Sequence, residues 1–146
     1  MNLCLILLVP LNMHENIKNL KVLVTGASGY IGSELITKLI SIGCEVSIIK
    51  RSTSDLKRLD HILDKLIVYE CNQSTQSVLN ILGDAKPDVV VHLASVFIAE
   101  HKSHDVEALI ASNLLFSTQI VEAMKVNNIN FLVNAGTSWE HYNNSQ

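Results

Sequence analysis

Three glycines at intervals of three, Gly26, Gly29 and Gly32, separate the run Lys21-Val22-Leu23-Val24-Thr25 from a stretch where Ile31, Leu35, Ile36, Leu39 and Ile40 recur at helical spacing. The run is β-branched and unbroken by polar residues, as a strand covered on both faces requires. Gly26 permits a tight turn that would strain a residue with a Cβ. Gly29 lets backbone approach a pyrophosphate, and Gly32 lets the helix pack close to the sheet. A helix opening in this way offers unpaired N–H groups and roughly half a positive charge to phosphate oxygens. Gly26, Ser28, Gly29, Tyr30, Ile31 and Gly32 are therefore the expected phosphate-binding residues.

The remaining chain repeats the alternation of apolar run and helical pattern. Further strands are expected over 45–49, 66–69, 88–94 and 129–133. Between them lie a helix carrying Leu56, Leu59 and Leu63 with Thr53 or Ser54 as cap, a short piece from Val78 to Leu82 ending at Gly83, and a long helix over 105–126. Gly43 is placed to stop the first helix. Strand and helix in this rhythm imply parallel strands with right-handed crossovers. The expected class is α/β, a Rossmann-type doubly wound sheet in the order 3-2-1-4-5. Residues 1–19 read as an N-terminal extension and 20–146 as one dinucleotide-binding domain.

Composition narrows the class of partner. Lys+Arg 11 against Asp+Glu 14 gives a formal charge of −3, and no basic block marks a nucleic-acid or membrane surface. A hydrophobic share of 48% with 17% charged residues excludes a disordered chain. Three cysteines without a Cys-x-x-Cys pair fit a reducing compartment, and a cytoplasmic location is expected. The apolar residues 3–11 are far short of the ~20 needed to span a bilayer. His101 and His104 beside Asp105 have loop-like surroundings, and no metal site is expected.

The Thr25-Gly26-x-x-Gly29-x-x-Gly32 string resembles the short-chain dehydrogenase/reductase superfamily, in particular its extended branch of nucleotide-sugar epimerases and dehydratases. The likeness extends over residues 21–142 and implies a nicotinamide dinucleotide coenzyme with hydride transfer at C4 of a nucleotide-diphosphate sugar. The second strand ends Ile48-Ile49-Lys50-Arg51-Ser52, without the ribose-binding acid expected there. Arg51 offers a planar fork to a 2′-phosphate, Ser52 a hydroxyl and Lys50 further charge, so NADP is expected over NAD. In the family, the backbone at Leu93 and Ala94 lies along the coenzyme, Asn72 stands where an acid often touches adenine, and Asn113 ties the active-site backbone together. By its spacing from Val106 and Ile120, Asn113 is expected to be buried on the helix's apolar stripe. His92 reads as a hydrogen-bonded strand histidine.

Thr137 matches the family's catalytic Ser or Thr, which holds the sugar hydroxyl or ketone at C4 against the nicotinamide. The string Gly136-Thr137-Ser138-Trp139-Glu140-His141-Tyr142 resembles more narrowly enzymes that make CDP-linked deoxysugars, such as CDP-abequose and CDP-paratose synthases. Ser138 and Trp139 stand where dehydratases carry an Asp-Glu pair, which implies reduction or epimerisation rather than loss of water. The family's Tyr-x-x-x-Lys pair is absent, since Tyr142 is followed four residues later by Gln146. The chain is thus expected to lack the substrate domain and to be inactive alone, with the fifth-strand edge open to self-association or a partner chain. A non-catalytic binding module, a subunit completed by another polypeptide and a degenerate gene fragment are the alternatives.

Overall fold

The computed structural model of the chain describes residues 17–136. Strands β1 (Lys21–Thr25), β2 (Glu45–Lys50), β3 (Leu66–Glu70), β4 (Val89–His92) and β5 (Phe131–Asn134) form one parallel sheet in the order β3-β2-β1-β4-β5. Helices α1 (Tyr30–Ser41), α2 (Thr75–Ala85) and α4 (Phe116–Val126) cover it, and a short α3 (Val106–Ile110) leads towards α4. This is the doubly wound Rossmann-type arrangement, and no described helix is long and apolar enough to cross a membrane.

Alternation along each strand divides the core in two. Val22, Val24, Val46, Ile48, Val89 and Val91 meet Ile36 of α1 with Leu59 and Ile62 of the neighbouring 3₁₀ segment on one face. Leu23, Ile49 and Val90 meet Val78 and Leu82 of α2 with Ile120 and Met124 of α4 on the other. Both faces of the central strands are dry, which is why their sequences run apolar without a break. Each fully buried Leu, Ile or Val contributes about 1.5–3 kcal/mol relative to exposure.

Several elements differ from the sequence expectation, each for a local reason. The segment Lys57–Lys65 is 3₁₀ rather than α, and Leu56 rather than Thr53 or Ser54 precedes it. Ser54 turns its Oγ back to accept from the Arg51 N–H at 3.1 Å. Helix α2 starts earlier, where Ser74 Oγ accepts from the Ser77 N–H at 3.1 Å, and runs through Gly83 to end at Ala85 before a left-handed Lys86. Gly83 serves close packing instead, since a Cβ there would stand 3.0 Å from Asn127 Oδ1. Strand β4 ends at His92: the Leu93 N–H still donates to the Thr25 carbonyl at 3.3 Å, but the Ala94 N–H turns to Thr25 Oγ1 at 3.2 Å as both residues pass against Gly26.

The long helix is interrupted by a π turn, Ala111–Leu115. Ser117 and Thr118 hydroxyls donate to the Asn113 and Leu114 carbonyls at 3.0 and 2.8 Å, a back-bonding that bends helices. Only α4 packs onto α2 and the sheet. Ile110 and Leu114 remain half exposed, so the apolar stripe expected over the whole helix is buried only in its second half. Strand β5 is the last of the sheet among the described residues, with Phe131 and Leu132 exposed.

Candidate coenzyme-binding site

The site begins where β1 stops. Gly26 turns at φ +74, and a Cβ on it would lie 2.7 Å from the Ala94 nitrogen. A Cβ on Gly32 would strike the Gly26 carbonyl oxygen and crowd the Ala27 Cα. Gly32 therefore lets α1 close on the turn's own backbone, whereas the sequence predicted that it lets the helix pack close to the sheet. Gly29 is different: an added Cβ would meet only the Gly26 oxygen, at 3.3 Å. It is the N-cap of α1, no side chain caps the helix, and its first turn holds no acid. The opening N–H groups and the helix dipole are thus unopposed and suited to an anion.

These groups face a pocket of about 410 Å³ at the carboxyl ends of the strands, beside the switch point between β1 and β4. Gly26, Ser28, Gly29, Arg51, Leu93 and Ala94 line it, as do Ser54, Cys71, Gln73, Leu115, Phe116 and Gln119, none of which the sequence had pointed to as a site residue. Tyr30 and Ile31 point their side chains to solvent, leaving only backbone at the helix start to serve the site. Ser52 is exposed beside Arg51. Asn72 Oδ1 accepts from the Ser74 N–H and hydroxyl at 3.0 and 2.7 Å. Thr137 lies outside the described residues, as do Ser138, Trp139 and Tyr142.

Lys50 does not add free charge to the site. Its Nζ pairs with Glu70 at 2.7 Å across the β2–β3 register, leaving Arg51 as the pocket cation without an acidic partner among the described residues.

The loop after β4 is held from two sides. Asn113 is exposed, not buried on a core stripe, because the π turn lifts it off the sheet; its amide accepts from the Val96 N–H and donates to the Val96 carbonyl, both at 2.8 Å. Beneath it, the Ala94 N–H donates to Thr25 Oγ1 at 3.2 Å. Thr25 Oγ1 and His92 Nδ1 lie 2.7 Å apart, and His92 Nε2 lies 2.9 Å from Ser117 Oγ. Ser117 gives its proton to the Asn113 carbonyl, so it accepts from Nε2–H, and Thr25 donates to Nδ1. The imidazole is neutral with both nitrogens in use, and burial lowers its pKa. Its edge packs against Phe116 at a centroid distance of 5.5 Å.

Fold and site together define a dinucleotide-type α/β domain, and the chain belongs to the NAD dependent epimerase/dehydratase family, whose profile matches residues 22–145. It is 29% identical over 121 residues to the CDP-abequose synthase of Yersinia pseudotuberculosis, covering 83% of this chain and 41% of that protein. The Bordetella bronchiseptica enzyme WbmH, solved in complex with NAD+, is 29% identical with a TM-score of 0.66 over 78% of this chain and 38% of its own. The UDP-glucose-4-epimerase of Stenotrophomonas maltophila is 22% identical with a TM-score of 0.75, over 88% of this chain and 40% of its own, which shows the shared fold. The chain thus spans about two fifths of the length of the relatives it matches. Among the described residues no group of three or more His, Cys, Asp or Glu is placed to hold a metal ion.

Proposed function

We propose that residues 20–146 are the NAD(P)-binding part of a nucleotide-sugar epimerase or reductase, with residues 1–19 an extension of it. One observation carries the reading: an uncapped helix start behind Gly26 and Gly29 opens into a pocket at the sheet's switch point. The bound coenzyme would supply a reversible hydride acceptor for C4 of the sugar. The chain's own part is to hold the diphosphate on the α1 backbone and the adenosine ribose beside Arg51 and Ser52. Leu93 and Ala94, fixed through Thr25 and Val96, would support the coenzyme's other half. Thr137 is proposed to hold the sugar's reacting oxygen. No Tyr-x-x-x-Lys pair occurs in the 146 residues, so turnover is assigned to a protein in which that pair is supplied by further polypeptide.

The likeness to CDP-abequose synthase and to an enzyme solved with NAD+ supports the substrate class and the coenzyme type. NADP is favoured because β2 ends without a carboxylate and Arg51 lines the pocket with no acidic partner among the described residues. Calorimetric titration is expected to give binding of NADPH tighter than NADH, without turnover. Arg51→Ala should weaken NADPH by about tenfold or more, the worth of a charge-assisted phosphate contact, and NADH by much less. Equal losses for both would refute the NADP assignment, and absence of binding would refute the coenzyme site.

Among the described residues β5 is the outermost strand of the sheet and carries exposed Phe131 and Leu132, an arrangement that pairs readily with another strand. Sedimentation is therefore expected to show a dimer or larger species at micromolar concentration. A dilute, stable monomer would show that this edge needs no partner.

A further inference from the structure

Away from the phosphate turn the pocket extends past the end of β3, where Cys71 and Gln73 line it together with Gln119 of α4. Gln119 is a polar side chain only 5% exposed, in a helix face otherwise committed to the core. Its Nε2 donates to the Gln73 carbonyl at 3.1 Å and to Thr75 Oγ1 at 3.2 Å. A backbone carbonyl has no proton to give, so the amide cannot be reversed, and Oε1 is the atom left over. Among the described residues no group donates to Oε1 and no fully enclosed side-chain oxygen or nitrogen is without a partner, which leaves Oε1 open to the pocket that Gln119 lines. The fold has fixed an acceptor in a slot whose other walls include Leu115 and Phe116.

We infer that Gln119 Oε1 reads the exocyclic amine of the coenzyme's purine. The inference rests on the coenzyme reading above and adds the residue that selects the base. In this strand order the β1–β3 half takes the adenosine portion. With the diphosphate at Gly26–Gly29 and the ribose at the end of β2, the base falls at the end of β3, beside Gln73 and Gln119. Asn72 cannot supply the acceptor, because its Oδ1 already takes two protons from Ser74. An adenine amine satisfies Oε1. A hypoxanthine base would set its own carbonyl oxygen against Oε1, leaving two acceptors face to face.

The test compares NADPH with its hypoxanthine analogue and with 1,N6-etheno-NADP, whose amine is closed into a ring. The wild-type chain is expected to bind both analogues at least about tenfold more weakly, the cost of an unmatched acceptor. Gln119→Met keeps the side chain's length and removes both polar atoms. It should bring the NADPH-to-hypoxanthine ratio close to one, whereas general loosening of the pocket would weaken both ligands alike. Equal wild-type affinities, or a ratio that survives Gln119→Met, would overturn the assignment while leaving the coenzyme site standing. Failure to bind any of these dinucleotides would instead remove the coenzyme reading and this inference with it.

Discussion

Gly26→Ala is expected to unfold the phosphate turn and to lower the thermal midpoint by on the order of 10 °C, with loss of measurable coenzyme binding. The added Cβ would lie 2.7 Å from the Ala94 nitrogen, 2.7 Å from the Leu93 carbonyl carbon and 2.9 Å from its oxygen, at φ +74. All three are backbone atoms, and Ala94 is itself tied to Thr25, so no side chain can swing away to make room. A left-handed residue with a Cβ costs about 1–2 kcal/mol and overpacking about 1–3 kcal/mol more. Gly29→Ala is the control. Its φ is −73, and its Cβ would meet only the Gly26 oxygen at 3.3 Å. Its stability should stay within about 1 kcal/mol of wild type while coenzyme affinity falls, because the methyl would stand in the phosphate's approach. Differential scanning calorimetry and NADPH titration on the pair separate the two roles. A Gly26→Ala chain melting at the wild-type temperature would show that the turn is not built as described.

How far the fold was legible follows from where each constraint resides. The glycine turn and the central strands β1, β2 and β4 were readable because their causes are local: a backbone that excludes Cβ, and strands dry on both faces. Helical periodicity misled at Asn113, since it assumes uniform turns and a sheet beneath; the π turn breaks the first assumption, and α3 has its Ala108 on the pocket rather than on the sheet. Glu70 takes up the charge of Lys50 through a parallel register joining residues twenty apart. Gln119 gave no signal, because a single glutamine on an apolar stripe reads the same whether its oxygen meets solvent, core or ligand. Only the positions of Gln73 and Thr75 decide that.

The same limit hid the circuit around His92, whose partners Thr25 and Ser117 stand 67 and 25 residues away. That circuit carries the second large expected effect. His92→Asn should destabilise the chain at pH 7.5 by about 1–3 kcal/mol, because an asparagine cannot span from Thr25 to Ser117 and leaves a buried group unpaired. The gap between wild type and variant should then narrow as pH falls. Burial holds the folded imidazole below its ordinary pKa, and no charged neighbour contributes to the shift. In the unfolded chain His92 titrates near ~6.5, so below that pH the unfolded state binds more protons than the folded one. Wild-type stability from this residue is therefore complete above about 6.5 and is lost as pH drops towards the depressed folded value, whereas asparagine has nothing to lose. Protonation would also put a proton on Nδ1, facing Thr25. The threonine would then have to accept from both His92 and Ala94, and its own proton would be stranded. Coenzyme affinity should accordingly weaken in acid together with stability, since Ala94 is part of the site's floor. Urea denaturation of both chains from pH 7.5 to 5 checks the sign; a gap that stays constant across that range would mean the fold does not select the neutral ring.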